Sequence, residues 1–218
     1  MPTALITGAN RGLGLEFVRQ YRADGWDVIA TARTPSPELE ALGARIEPLD
    51  MGDFDAVAEF RARIAGPLDL LVANAGTYGS RAVRSGDDAR AWAETFAVNS
   101  IAPFLLAEAV LPAVRAAKGK LIAVSTQMAS IADNRAGGFI AYRSSKAALN
   151  AAWKSLAIDN PTVVCALLHP GWVRTRMGGE SAPLSPENSI AGMRRVIEGL
   201  GQKESGGFFA YTGAVVPW

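Results

Sequence analysis

Short runs of apolar residues with no polar alternation recur along the chain at 4–7, 27–31, 68–72, 120–125 and 163–168. This is the pattern of strands buried on both faces, as in a parallel sheet. Residues 45–50 and 208–211 read as two further strands. Between the runs, apolar residues three and four apart predict helices over 15–23, 54–64, 88–114, 187–200 and a stretch ending near 159, with a short one at 38–42. In 54–64 the expected buried face is Phe54, Val57, Ala58, Phe60 and Ile64; in the stretch ending near 159 it is Leu149, Ala152, Trp153 and Leu156. Strand and helix alternate throughout. The expected fold is therefore α/β: a doubly wound, mostly parallel sheet of about seven strands, with right-handed crossovers and helices on both faces.

A length of 218 residues suits one large α/β domain over 1–218, and 49% hydrophobic content supplies its core. Lys plus Arg is 22 against 21 acids, a net charge of +1, which gives no footprint for nucleic acid. One cysteine, Cys165, inside an apolar run, and one histidine argue against a disulfide, a nucleophilic thiol or a His/Cys metal site. No signal peptide or membrane-length apolar run is read. The expectation is a cytoplasmic protein with no nucleic-acid or membrane partner.

The first strand runs into Thr7-Gly-Ala-Asn-Arg-Gly-Leu-Gly14, and a helix follows. Gly8 permits the turn, Gly12 admits a pyrophosphate close to the backbone, and Gly14 lets helix and strand pack. The helix N-terminus then offers free N–H groups to the phosphates. The turn residues Asn10, Arg11 and Leu13 belong to the same cradle. The second strand ends at Ala32-Arg33. A carboxylate there would bind a ribose 2′-hydroxyl, whereas an arginine suits a 2′-phosphate. Arg33, with Arg11 as a second cation, predicts NADP(H) over NAD(H).

Asp50 and Met51, after the third strand, are candidates for an adenine amino group and ring. Asp50 or Asp53 could equally cap the next helix. Asn74-Ala75-Gly76 follows the fourth strand, at the edge where open α/β sheets take ligands. Asn99 sits inside the long helix, where its carboxamide could hold a main-chain carbonyl or a water. Ser125 and Thr126 put two hydroxyls at the end of the fifth strand, and alternation sends neighbouring side chains to opposite faces. His169-Pro-Gly171 ends the sixth.

The chemistry centres on Tyr142-Arg-Ser-Ser-Lys146. On a helix, residues four apart stand one above the other, so an ammonium lies beside a phenol. A nearby cation favours the phenolate, and the expected result is a lowered tyrosine pKa. Such a group can exchange a proton with a reacting oxygen.

Taken together, Thr7-Gly8…Gly12…Gly14, Asn74-Ala75-Gly76, Asn99, Tyr142-x3-Lys146 and Pro170-Gly171 resemble the short-chain dehydrogenase/reductase family over essentially the whole chain. The subgroup they look most similar to is the small carbonyl reductases and C-factor-like signalling proteins. The resemblance implies a Rossmann-like fold. It implies Tyr142 as general acid, Lys146 on the nicotinamide ribose, and Asn99 anchoring a water that links Lys146 to solvent. Asn74, Ala75 and Gly76 would line the adenosine side, and Pro170, Gly171, Val173 and Thr175 the nicotinamide. The family's substrate-binding serine falls on Thr126, with Ser125 one position earlier. The implied reaction is reduction of an aldehyde or ketone, or oxidation of the alcohol; the C-factor resemblance offers a cofactor-binding signalling role instead. Small residues on helices 88–114 and 139–159 suit either subunit pairing, as a homodimer or homotetramer, or packing within the chain.

Overall fold

A computed structural model describes all 218 residues. Seven strands form one sheet in the order β3-β2-β1-β4-β5-β6-β7. They are β1 (Thr3–Thr7), β2 (Asp27–Ala32), β3 (Arg45–Pro48), β4 (Leu70–Ala73), β5 (Lys120–Val124), β6 (Val164–His169) and β7 (Gly207–Ala210). All six pairings are parallel. Seven helices join them: α1 (Gly12–Ala23), α2 (Pro37–Glu40), α3 (Phe54–Ala58), α4 (Gly86–Phe96), α5 (Ala102–Ala117), α6 (Ile140–Asp159) and α7 (Pro186–Gly199). The strand order reverses between β1 and β4, and the carboxyl ends there open the crevice in which such sheets take ligands.

Alternation along each strand sends successive side chains to opposite faces, and each face has its own core. On one, Leu5, Leu71, Leu121 and Leu167 pack with Phe60, Leu106, Val110 and Trp153. On the other, Ile6, Val72, Ile122 and Leu168 pack with Phe17, Ile190 and Met193. Cys165 is buried in the first core, and burial pushes its thiol up to about 12, which leaves it inert.

Two expectations need correction. The helix expected over 54–64 is α-helical only to Ala58 and tightens into a 3₁₀ turn, Glu59–Arg63. The tighter turn rotates the buried face onto Val57, Phe60 and Ile64, so Phe54 (37% exposed) and Ala58 lie outside it. The long helix is interrupted by a π turn, Ala97–Ile101, which carries Asn99. By length and composition the run Gly86–Ala117 could cross a membrane, but its apolar face, Leu106, Val110 and Val114, is buried against the sheet.

Candidate active site

The glycine turn is held by the neighbouring strand end. Thr7 Oγ1 accepts from the N–H groups of Asn74 and Ala75, each at 3.0 Å. Asn74 Nδ2 in return donates to the Thr7 and Gly8 carbonyls at 2.9 and 3.3 Å. A Cβ on Gly14 would stand 2.2 Å from the Gly8 oxygen, so only glycine lets α1 start there. Arg11 caps α1 without a side-chain bond, and the N–H groups of Gly12, Leu13 and Gly14 find no acceptor in the protein. Such orphan donors at a helix N-terminus suit a phosphate. Across the turn, Thr175 lies 3.6 Å from where a Gly12 Cβ would be. Ser36 Oγ donates to the Asn10 carbonyl at 2.8 Å, tying the loop that bears Arg33 to the turn that bears Arg11. Both arginines are exposed and without an ion pair. The residues present fit a phosphorylated dinucleotide.

Asp50 is exposed and spends one carboxylate oxygen on the Gly52 N–H, at 2.9 Å; Asp53, not Asp50, caps α3 through the Ala56 N–H. Met51 packs into the core and is 6% exposed.

At the end of β5 the two hydroxyls part as alternation requires. Ser125 Oγ donates to Asn150 Oδ1 at 2.6 Å inside the protein. The Thr126 hydroxyl accepts from the Met128 N–H at 3.2 Å and is the neighbour that favours ionisation of the Tyr142 phenol. Lys146 Nζ donates to the Val124 carbonyl at 2.8 Å, so the lysine reaches the same strand end. A Cβ on Gly76 would lie 3.2 Å from Asn99 Oδ1 and 3.6 Å from Lys146 Nζ, which brings Gly76, Asn99 and Lys146 together.

The Asn99 carboxamide is used at both ends. Its Nδ2 donates to the Thr77 carbonyl at 2.8 Å and to Ser145 Oγ at 3.0 Å, and its Oδ1 accepts from the Thr77 N–H at 2.8 Å. Of the two uses open to it, the side chain holds the main chain. It also grips the helix that carries the tyrosine and lysine. Pro170, Gly171 and Val173 follow β6, where the Pro170 carbonyl accepts from Ser189 Oγ at 2.6 Å and Val173 is buried beside Leu184. His169, pushed down to about 4 by burial, is neutral at physiological pH.

The electrostatics correct the expectation for Tyr142. Burial pushes its phenol well above the ordinary tyrosine range, Tyr78 adds to the rise, and only the neighbouring Thr126 hydroxyl opposes it. Lys146, itself buried, is pushed down to about 8. Four residues of spacing put both groups on one face of α6, but burial, and not the charge of either on the other, decides both shifts. The phenol is therefore a protonated donor at neutral pH.

Three side chains at the site were not anticipated. Tyr78 packs edge-on against Tyr142 with ring centroids 4.6 Å apart, Phe139 leans on Tyr78 at 5.9 Å, and Arg81 lies 4.5 Å over Phe139. They stand in loops, where periodicity gives no signal; the one hint was the glycine pair before Phe139.

This geometry has counterparts among known proteins. Residues 2–184 match the short chain dehydrogenase family. C-signal of Myxococcus xanthus is 45% identical over 156 residues, covering 70% of this chain and 94% of that protein. A 1-hydroxy-2-glutathionyl-2-methyl-3-butene dehydrogenase of Rhodococcus sp. is 31% identical over the whole of both chains. Among solved structures, the carbonyl reductase Sniffer of D. melanogaster superposes with a TM-score of 0.92 at 36% identity, covering all of both chains. An NADPH-bound carbonyl reductase from chicken fatty liver does so with 0.89 at 31% identity, covering all of this chain and 99% of that one. With the glycine turn, the Asn99 grip and the Tyr142–Lys146 pair set around one strand edge, and with this match over most of its length, the chain belongs to the short-chain dehydrogenase/reductase family.

Proposed function

We propose that this protein is an NADP(H)-dependent carbonyl reductase in which Tyr142 is the general acid. The observation that carries the reading is the convergence of the Thr126 hydroxyl, the Tyr142 phenol and the Lys146 ammonium on the end of β5. A bound nicotinamide supplies the hydride to the carbonyl carbon. The chain's own residues do the rest. Thr126 donates to the carbonyl oxygen and aims it at Tyr142. Tyr142, protonated at working pH, gives up its proton as negative charge develops on that oxygen. Lys146, cationic below about pH 8, favours the phenolate so formed. Asn99 keeps α6 in register with the Thr77 backbone. Gly8, Asn10, Arg11, Gly12, Leu13 and Gly14 hold the phosphates, with Asn74, Ala75 and Gly76 beside the adenosine. Pro170, Gly171, Val173 and Thr175 flank the nicotinamide. The cofactor preference rests on Arg33 and on the NADP-bound carbonyl reductases of similar fold.

The test is oxidation of NADPH by the wild type with a panel of aldehydes and ketones. Thr126→Ala is expected to lower kcat/KM about a hundredfold, the size of effect seen when one oxyanion donor is removed. Ser125→Ala is expected to leave turnover near the wild type while costing about 1–3 kcal/mol of stability, because it strips a buried partner from Asn150. If only the serine change abolishes turnover, the assignment of Thr126 is wrong. For the cofactor, Arg33→Asp is expected to shift the ratio of NADPH to NADH affinity by about tenfold or more towards NADH. A wild type that already prefers NADH refutes the role given to Arg33.

The 45% identity to C-signal favours a second reading, a cofactor-binding signalling protein with little turnover. A wild type that binds NADPH but reduces none of the panel supports that reading over the first.

A further inference from the structure

The unanticipated side chains form a continuous shelf from the reacting phenol to the surface. Tyr142 meets the edge of Tyr78 at an interplanar angle of 71°, Tyr78 meets Phe139, and the Arg81 guanidinium carbon lies 4.5 Å from the centre of the Phe139 ring. Phe139 is held there at a backbone cost. Its φ is +51°, after Gly137 at +62° and Gly138 at +66°. A left-handed conformation costs an L-residue about 1–2 kcal/mol. Two glycines adopt it freely; a phenylalanine does so only where the surroundings hold it. Here Arg143 is the tether: its Nε donates to the Gly137 carbonyl and its Nη1 to the Met128 carbonyl, both at 3.1 Å. The strained backbone turns an aromatic face towards the site rather than into the core.

Arg81 is exposed and has no carboxylate within 4.0 Å. Arg135, Arg143 and Arg176, on the neighbouring segments after β5 and β6, are likewise without ion pairs. The acids on these segments are Asp133, which accepts from Gln127 Nε2 at 3.3 Å, and Glu180; on Arg81's own segment Asp87 pairs with Arg90 and Asp88 accepts from the Arg84 N–H and Ser85 Oγ. A guanidinium stacked on a ring keeps its in-plane N–H groups free, in the fork that matches a carboxylate.

From this shelf we infer the substrate class of the reductase site, an inference that rests on the reading above: a carbonyl compound with a flat apolar body and an anionic end. The body lies on Tyr78 and Phe139 with its carbonyl at Thr126 and Tyr142, and a carboxylate at the far end meets Arg81.

The experiment compares 4-carboxybenzaldehyde with its methyl ester, which keeps the ring and aldehyde and removes the charge. The wild type is expected to favour the acid over the ester by about tenfold in kcat/KM, the size of one charge-assisted bond near the surface. In Arg81→Met that ratio falls to about one, and in Arg81→Glu it inverts in favour of the ester. Equal kcat/KM for the two aldehydes in the wild type overturns the inference, as does a ratio that survives both substitutions. If the wild type reduces neither aldehyde, the reductase reading fails on its own terms, and calorimetry on the NADPH-loaded protein decides the shelf. Binding of 4-carboxybenzaldehyde at least several-fold tighter to the wild type than to Arg81→Met supports it, and equal binding overturns it.

Discussion

Tyr142→Phe is expected to cut kcat/KM for aldehyde reduction by about 10³-fold while leaving NADPH affinity nearly unchanged. Positioned proton transfer contributes about 10²–10⁴ in rate, and the substitution removes the only atom that makes the transfer. Phenylalanine keeps the ring, so the edge contact with Tyr78 persists and the pocket does not collapse. The buried hydroxyl carries its own pH signature. Because burial raises the phenol's pKa, Tyr142 stays protonated across the neutral range and reduction is not limited by its ionisation there. Oxidation of the alcohol needs the phenolate, so its rate is expected to climb with pH through the alkaline range. Stopped-flow rates in both directions between pH 6 and 10 check this. Turnover by the phenylalanine variant within tenfold of the wild type removes Tyr142 from the chemistry.

The fold was legible because burial on both faces leaves a strand no polar alternation. Runs such as 163–168 mark themselves, and the glycine turn marks where the first one ends. The end of α1 was legible from Gly25, which follows it at φ +79°, whereas the Ser185 cap of α7 showed only in the structure, accepting from the Asn188 N–H. What the chain hides depends on neighbours distant in sequence. Spacing put Tyr142 beside Lys146, but the sign of each pKa shift comes from how deeply the sheet and the loop after β4 bury them, and no local pattern carries that. Tyr78 and Phe139 meet across 60 intervening positions in aperiodic loops, so neither stood out. Met51 carried no signal of how deep it lies: its apolar side chain sits in the core. The choice between Ser125 and Thr126 rested on a one-residue register, and the Asn150 side chain that takes the serine lies on α6, out of reach of any reading of β5 alone.

Lys146→Met is expected to abolish turnover and raise the melting temperature. Burial takes the lysine from its ordinary 10.5 to about 8, which corresponds to roughly 3 kcal/mol against holding the charge in the fold. Methionine fills much the same volume without a charge. It forfeits the bond from a charged donor to the Val124 carbonyl, worth about 1.5 kcal/mol. The net gain of roughly 1.5 kcal/mol translates into about 3–6 °C for a chain of this size. The pH dependence separates this cause from generic repacking. Between about 8 and 10.5 the unfolded chain holds a proton that the folded chain has released, so wild-type stability rises with pH through that window. Below about 8 both states hold it and the full penalty stands; above 10.5 neither does and the penalty is gone. The gap in melting temperature between variant and wild type should therefore be widest below pH 8 and shrink towards pH 10.5. A gap that stays constant with pH assigns the gain to packing. A variant that melts lower than the wild type at pH 7 means the lysine contributes more to the fold than its burial costs. In the reductase reading the charge is kept because the phenolate left on Tyr142 after proton transfer needs a cation beside it, and stability is given up at the site where the reaction needs charge.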